Sequence, residues 1–214
     1  MKITRFSDIP QFTRDSNYKV NMDIRRIPAW IRENEGYGLQ LNPSFQRGHV
    51  WTEQQQIAWL EFFLRGGKSG IDIYFNDPFF NDWDRKEEDK DAYKDFVCVD
   101  GLQRLTAVQR FIGNEIPVYG SYYKEYTDPR SLTSYSLIFH VNNLKSEKEV
   151  LQWYIDMNAG GTPHDQGEIN RVKQMIADLE KEVLISLKDM TEISIEFLKK
   201  IAGQLGILRA ESHI

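Results

Sequence analysis

The sequence predicts an α+β chain with a helical C-terminal part, on three observations. Up to about residue 145, short runs of β-branched and aromatic residues alternate with stretches of helical periodicity. After Ser146 every apolar pattern has helical spacing. The 214 residues, 41% hydrophobic and 13% aromatic, suffice for one sizeable core.

In chain order, Ile3 to Phe6 reads as a strand, and Ile24, Ile27, Trp30 and Ile31 as a short helix ended by Gly36 and Gly38. Leu39–Leu41 is a short strand running into the Asn42-Pro43 turn. Thr52 with Gln55 forms a capping box before a helix whose apolar face is Ile57, Leu60, Phe63 and Leu64. Gly66-Gly67-Lys68-Ser69 is not a P-loop: Phe62 stands where the first glycine is needed, and the order is helix, loop, strand. Strands follow at Ile71–Phe75 and Phe96–Val99, the latter apolar enough to be buried on both faces. Asp82 to Asp95 between them is a charged excursion of mixed sign, read as a solvated loop rather than a metal site.

From Leu102 the spacing turns helical, with Leu105, Val108 and Ile112 on one face. Ile116–Tyr119 reads as an edge strand because of Pro117, and Tyr135–Val141 as a further strand. Ser146 with Glu149 opens a helix through Met157, with Val150, Leu151, Tyr154 and Ile155 inward. Helices are expected over 165–187 and 194–205, before a frayed tail.

Composition narrows the function. A formal charge of −5 opposes an all-over basic nucleic-acid binder without excluding a local basic groove. One cysteine excludes an internal disulfide framework and fits a reducing cytoplasm. No apolar run has the roughly 20 residues of a membrane helix, and Met1–Arg5 leads into no signal-peptide core. A soluble cytoplasmic protein is therefore expected. The four histidines are scattered, which opposes a zinc site.

Three loops carry groups capable of recognition. Phe45-Gln46-Arg47-Gly48-His49-Val50-Trp51 offers a guanidinium fork, an amide and flat aromatic faces, or is an ordinary aromatic-anchored loop. Asp100-Gly101-Leu102-Gln103-Arg104 joins a strand to a helix, where free N–H groups and the positive end of the dipole suit phosphate. Asp100 is equally suited to a plain N-cap, and an acid there repels phosphate unless a cation or proton intervenes. Asn158-Ala159-Gly160-Gly161-Thr162-Pro163 reads as a helix C-cap followed by the next N-cap, or as a place for a ligand to approach the backbone.

Taken in order, with Glu168 beyond the third loop, these segments resemble the ParB/sulfiredoxin-like superfamily. The likeness is to the branch typified by the N-terminal half of GmrSD-type modification-dependent restriction enzymes and the SspE phage-defence protein. Members carry a Gln-Arg-Gly-x-x-Trp segment before a helix, an Asp-Gly-Gln-Gln-Arg turn after a strand, and an Asn-x-Gly turn before a later helix. The resemblance spans about Leu39 to Lys173. It implies a small mixed sheet packed with helices, arranged as an N-terminal extension over 1–38, a core over 39–145 and a helical subdomain over 146–214, all one compact unit.

The resemblance further implies binding of a nucleoside triphosphate, hydrolysed with Mg²⁺ or a similar divalent ion, in a DNA-related setting of phage or defence. Asp100, Gln103 and Arg104 would be catalytic, with Asp100 on the metal or the attacking water. Gln46, Arg47, Gly101, Asn158, Gly161 and Thr162 would bind nucleotide. Leu102 replaces the first glutamine of the turn motif, so one polar group is missing, although Leu also suits the apolar face of the helix. The nuclease domain of the restriction enzymes, with its His-Asn-His site, is not seen before Ile214, so no DNA cleavage by that route is expected. The alternative is a catalytically inactive regulator on the same fold that binds DNA or another protein.

Overall fold

The computed structural model describes residues 2–9, 18–46, 48–80, 93–159 and 166–204. Five strands form one mixed sheet: β1 (Tyr18–Asp23), β2 (Leu39–Gln40), β3 (Asp72–Asn76), β4 (Phe96–Asp100) and β5 (Ser136–Asn142), in the order β1-β5-β3-β4-β2. β5 pairs antiparallel with β1 and parallel with β3; β4 pairs antiparallel with β3 and parallel with β2. The α+β class with a mixed sheet and a helical C-terminal part is thus observed.

Alternation along the strands divides the core in two. Ile73, Phe75, Phe96, Cys98, Leu137 and Phe139 face one way, against α1 (Ile27–Glu35), α2 (Glu53–Leu64) and α3 (Leu102–Ile112). Val97 and Val99 face the other way, against Phe45 and the apolar sides of α4 (Glu147–Ala159) and α5 (Gln166–Gln204). β4 is therefore buried on both faces, as its run of apolar residues predicts. Both capping boxes form: Thr52 with Gln55 at α2, and Ser146 with Glu149 at α4, where the Glu149 carboxylate accepts from the Ser146 N–H at 3.2 Å.

Several expectations are corrected. Ile3 to Phe6 is not a strand; the described start of the chain has only a 3-10 turn at Phe6–Asp8, and the sheet's first strand is Tyr18–Asp23. That strand pairs with β5, and α1 packs under the sheet with Ile27 and Ile31 in its core. Ile116–Tyr119 is not an edge strand but a tight turn, with one bridge between Val118 and Ser121 and Tyr119 at φ +47°. The two C-terminal helices are one: nothing in Lys188–Ile193 is a glycine or proline, and α5 runs 39 residues without a break. Among the described residues no helix is long and apolar enough to cross a membrane.

The junction between β4 and α3 sets the position of everything at the upper end of the sheet. The β3–β4 register slips between Tyr74↔Asp100 and Phe75↔Cys98, a bulge that re-aims the last residue of β4. Gly101 then takes φ +126°, where a Cβ would lie 2.6 Å from Ile73 Cδ1, itself wholly buried. Gly101→Ala therefore combines backbone strain with overpacking, each costing about 1–3 kcal/mol. We expect a stability loss of roughly 2–4 kcal/mol in urea unfolding, with Tm lowered on the order of 10 °C; an unchanged midpoint would show that this turn relaxes freely.

Candidate functional site

Two of the three motif loops meet at that junction. A cleft of about 480 Å³ opens over the start of α3 and is lined by Asp100, Gly101, Gln103 and Arg104, by Gln46 and Gly48 from the loop before α2, and by Asn158 at the end of α4. This volume is within the usual range for small-molecule sites. Arg47 lies outside the described residues, though its two neighbours line the cleft. Gly161 and Thr162 also lie outside the described residues, as does the Glu168 side chain.

Asp100 is not the N-cap of α3. Gly101 occupies the cap position and has no side chain to cap the helix, and the first helical N–H, that of Leu102, meets the Cys98 thiol. Asp100 instead reaches one turn along to Arg104, Oδ2 to Nη2 at 2.6 Å. The guanidinium is largely buried (14% exposed) and the carboxylate is not (44%), so the acid stands between the arginine and solvent. The wall beside Arg104 is kept low by Gly70, at φ +69°, where a Cβ would sit 3.6 Å from Arg104 Nη1 and 3.7 Å from Trp59 Nε1. That indole N–H is buried and has no hydrogen-bond acceptor.

The two glutamines are fasteners of the cleft. Gln103 Oε1 accepts from the N–H groups of Val50 and Trp51, both at 3.0 Å, and its Nε2 donates to Gly48 O at 2.8 Å. Gln46 Nε2 donates to the carbonyls of Cys98 and Val99, past the point where the two-residue β2 stops pairing with β4. A third fastener comes from α5, where Arg171 Nη2 donates to Phe45 O at 3.0 Å and Gln46 O at 3.1 Å. Asn158 spends its amide N–H on Tyr154 O at 2.7 Å within α4. Gln103 was expected to act in catalysis and Gln46 and Asn158 on nucleotide. Gln103 and Gln46 hold the loop, while Asn158 holds the end of α4.

Leu102 is buried, as its place on the apolar face of α3 requires. Cys98 is wholly buried; burial pushes its thiol far above the ordinary range, with Arg104 and the Leu102 N–H pulling weakly the other way. Tyr74, opposite Asp100 in the sheet, is raised by burial and by the charges of Asp72 and Asp100. Among the described residues Asp100 is the only carboxylate and Arg104 the only cation on the lining. No group of three side chains there is arranged to hold a metal ion. Asp100 alone therefore fits a divalent ion only where the ligand's own phosphates complete the coordination.

Sequence reasoning found Trp51 but missed the rest of the aromatic wall and Arg171. Trp51 and Trp59 lie 6.0 Å apart, Trp59 stacks on Phe63 at 5.5 Å, and Phe62 and Tyr154 complete the lining. The available signal was Trp59 and Phe62 three residues apart beside the apolar face of α2. Removing the Gln103 amide should free this wall's loop. Gln103→Ala is expected to cost about 1–3 kcal/mol locally, so that the Val50 and Trp51 amides exchange roughly tenfold faster or more while those of β4 keep their protection. Equal protection in the variant would show that the loop is held by other means. Comparison of the chain with known protein families, with curated proteins and with solved structures returns no match.

Proposed function

We propose that this protein binds a nucleoside triphosphate in the β4–α3 cleft and hydrolyses it slowly. The observation that carries the reading is the Asp100–Arg104 pair at the start of a helix whose N-cap is a glycine. There a mostly buried guanidinium and the first turn of the helix face a cleft with aromatic walls. Phosphate oxygens suit the arginine fork and the helix end, and a base suits the indole and phenyl faces.

The chemistry follows from an exchange of partners. An arriving phosphate competes with Asp100 for Arg104, which would then carry phosphate charge while the carboxylate is released toward solvent. A released Asp100 can accept the proton of a water that attacks the terminal phosphorus, with the diphosphate leaving as the P–O bond breaks. A divalent ion brought in on the phosphates would reduce repulsion between them and Asp100. A second reading, binding without turnover by a regulator of DNA or protein partners, is favoured by the full use of Gln103 in the loop, which leaves Asp100 without an orienting amide.

A thermal-shift panel of the four ribonucleoside triphosphates, with and without magnesium, tests binding. A ligand at 100 times its Kd stabilises by about 2.7 kcal/mol. Arg104→Ala should weaken binding by about 1.5–3 kcal/mol, the scale of a charged hydrogen bond. Asp100→Asn should stay folded, bind at least as tightly because Arg104 is released, and lose turnover by roughly 100-fold or more. Binding with no phosphate release in the wild type favours the regulator. No shift with any triphosphate sinks both nucleotide readings, and salt-sensitive DNA binding in that case points to a nucleic-acid module.

A further inference from the structure

We propose that the outer half of α5 is a self-association surface, covered in solution by the same helix of a second copy of this chain. α5 first lies along α4, packing Ile169, Val172, Ile176 and Leu179 against it, and Lys148 Nζ to Glu180 Oε1 (2.6 Å) marks where α4 begins. Lys181 to Lys200 continue α5 for about 30 Å at 1.5 Å per residue, every residue exposed; only its first turn, at Glu182 to Leu184, still borders the start of α4 and Tyr93.

The apolar stripe does not end where α4 does. Val183, Met190 and Phe197 continue the seven-residue spacing of Ile169 and Ile176, Ile193 continues that of Val172 and Leu179, and Leu187 lies beside them. Only Ser186 and Lys200 interrupt the seam. A 3.5-residue repeat over four heptads, broken only at those two positions, is the pattern of a helix that winds around another helix. The five named side chains beyond α4 are 55–68% exposed, where burial is the rule for such residues in a repeat.

Area and charge identify the occupant. A large apolar side chain removes roughly 60–120 Å² from water, the area implied by 1.5–3 kcal/mol at about 25 cal/mol/Å². These five, taken on two copies, come to roughly 600–1,200 Å², which reaches the order of 1,000 Å² needed by a specific interface. Between 180 and 200 there are five acidic and four basic residues, too balanced for an anionic membrane or nucleic acid, which select basic helices. A second α5 presents the matching seam at the matching period.

The test is the mass of the intact protein by light scattering across a dilution series, beside the variant Val183→Glu/Met190→Glu/Phe197→Glu. The expected result is twice the chain mass in the wild type, falling to one on dilution, and one chain mass in the variant. The tryptophan signal of the sheet domain should keep its unfolding midpoint. A second measurement stands even if that variant misfolds. Cys98 is fully buried, so Met190→Cys supplies the reactive thiol and should form a disulfide-linked dimer on mild oxidation, whereas Lys188→Cys, on the outer face, should not. A wild type that stays at one chain mass at every concentration overturns the proposal. Equal cross-linking at 188 and 190 overturns it as random collision, and a monomer that binds neutral or anionic vesicles through this helix overturns it in favour of a membrane partner.

Discussion

The close approach of Gly101 to Ile73 governs the upper end of the sheet. β4 is packed on both faces, so its end cannot shift sideways to accommodate a turn. The backbone must reverse within one residue, at a φ that only glycine adopts without strain, while Ile73 fills the space where a side chain would stand. Once that residue is fixed, α3 starts directly over the sheet with a glycine, which has no side chain, at its cap position. Asp100 and Arg104 then fall one helical turn apart on the same side of the junction, close enough to pair.

The loop before α2 is suspended against this junction by polar side-chain bonds to three separate elements. Gln46 reaches β4, Gln103 reaches back from α3, and Arg171 reaches across from α5. Each bond satisfies backbone groups that a loop crossing the end of a sheet would otherwise leave unpaired, and each removes a polar side chain from any role toward a ligand. Rigidity of the cleft and reactivity of its lining are therefore in competition here. Among the described residues the balance favours a site that is well formed and sparingly equipped: one carboxylate, one guanidinium, a glycine-capped helix start and aromatic faces.

Much of the fold was legible because it rests on local signals. Runs of β-branched residues marked β3, β4 and β5, and the Thr52–Gln55 and Ser146–Glu149 boxes marked two helix starts within a residue. β1 was not legible: Tyr18–Asp23 sits at the sheet's edge with only partly buried residues, so its pattern is weak, and it is held by pairing with β5 over a hundred residues away. At the site, the Asp-Gly turn and its meeting with Gln46 could be read from order and residue type. The duties of Gln46 and Gln103 could not, because an amide that will contact backbone looks in sequence like one that will contact a ligand. Trp59, Gly70 and Arg171 reach the cleft only through tertiary packing.

The electrostatics of the pair bear on how such a site discriminates. Arg104 is mostly buried, so leaving it without a partner would be costly; Asp100 meets that need while its own carboxylate stays partly in water. A ligand with a single negative charge merely replaces one carboxylate with another and gains little, since Asp100 loses as much as the ligand acquires. A polyphosphate differs: it offers several oxygens to the arginine fork and the helix N–H groups together, and its aromatic base can lie on the indoles. On the proposed reading the internal salt bridge would act as a threshold, favouring ligands that combine multiple charges with a flat apolar face over simple anions. On the proposed reading the same threshold would let an acid sit at a turn that takes phosphate: in the empty cleft it stabilises the arginine, and in the filled one it would be released from the arginine to face the attacking water.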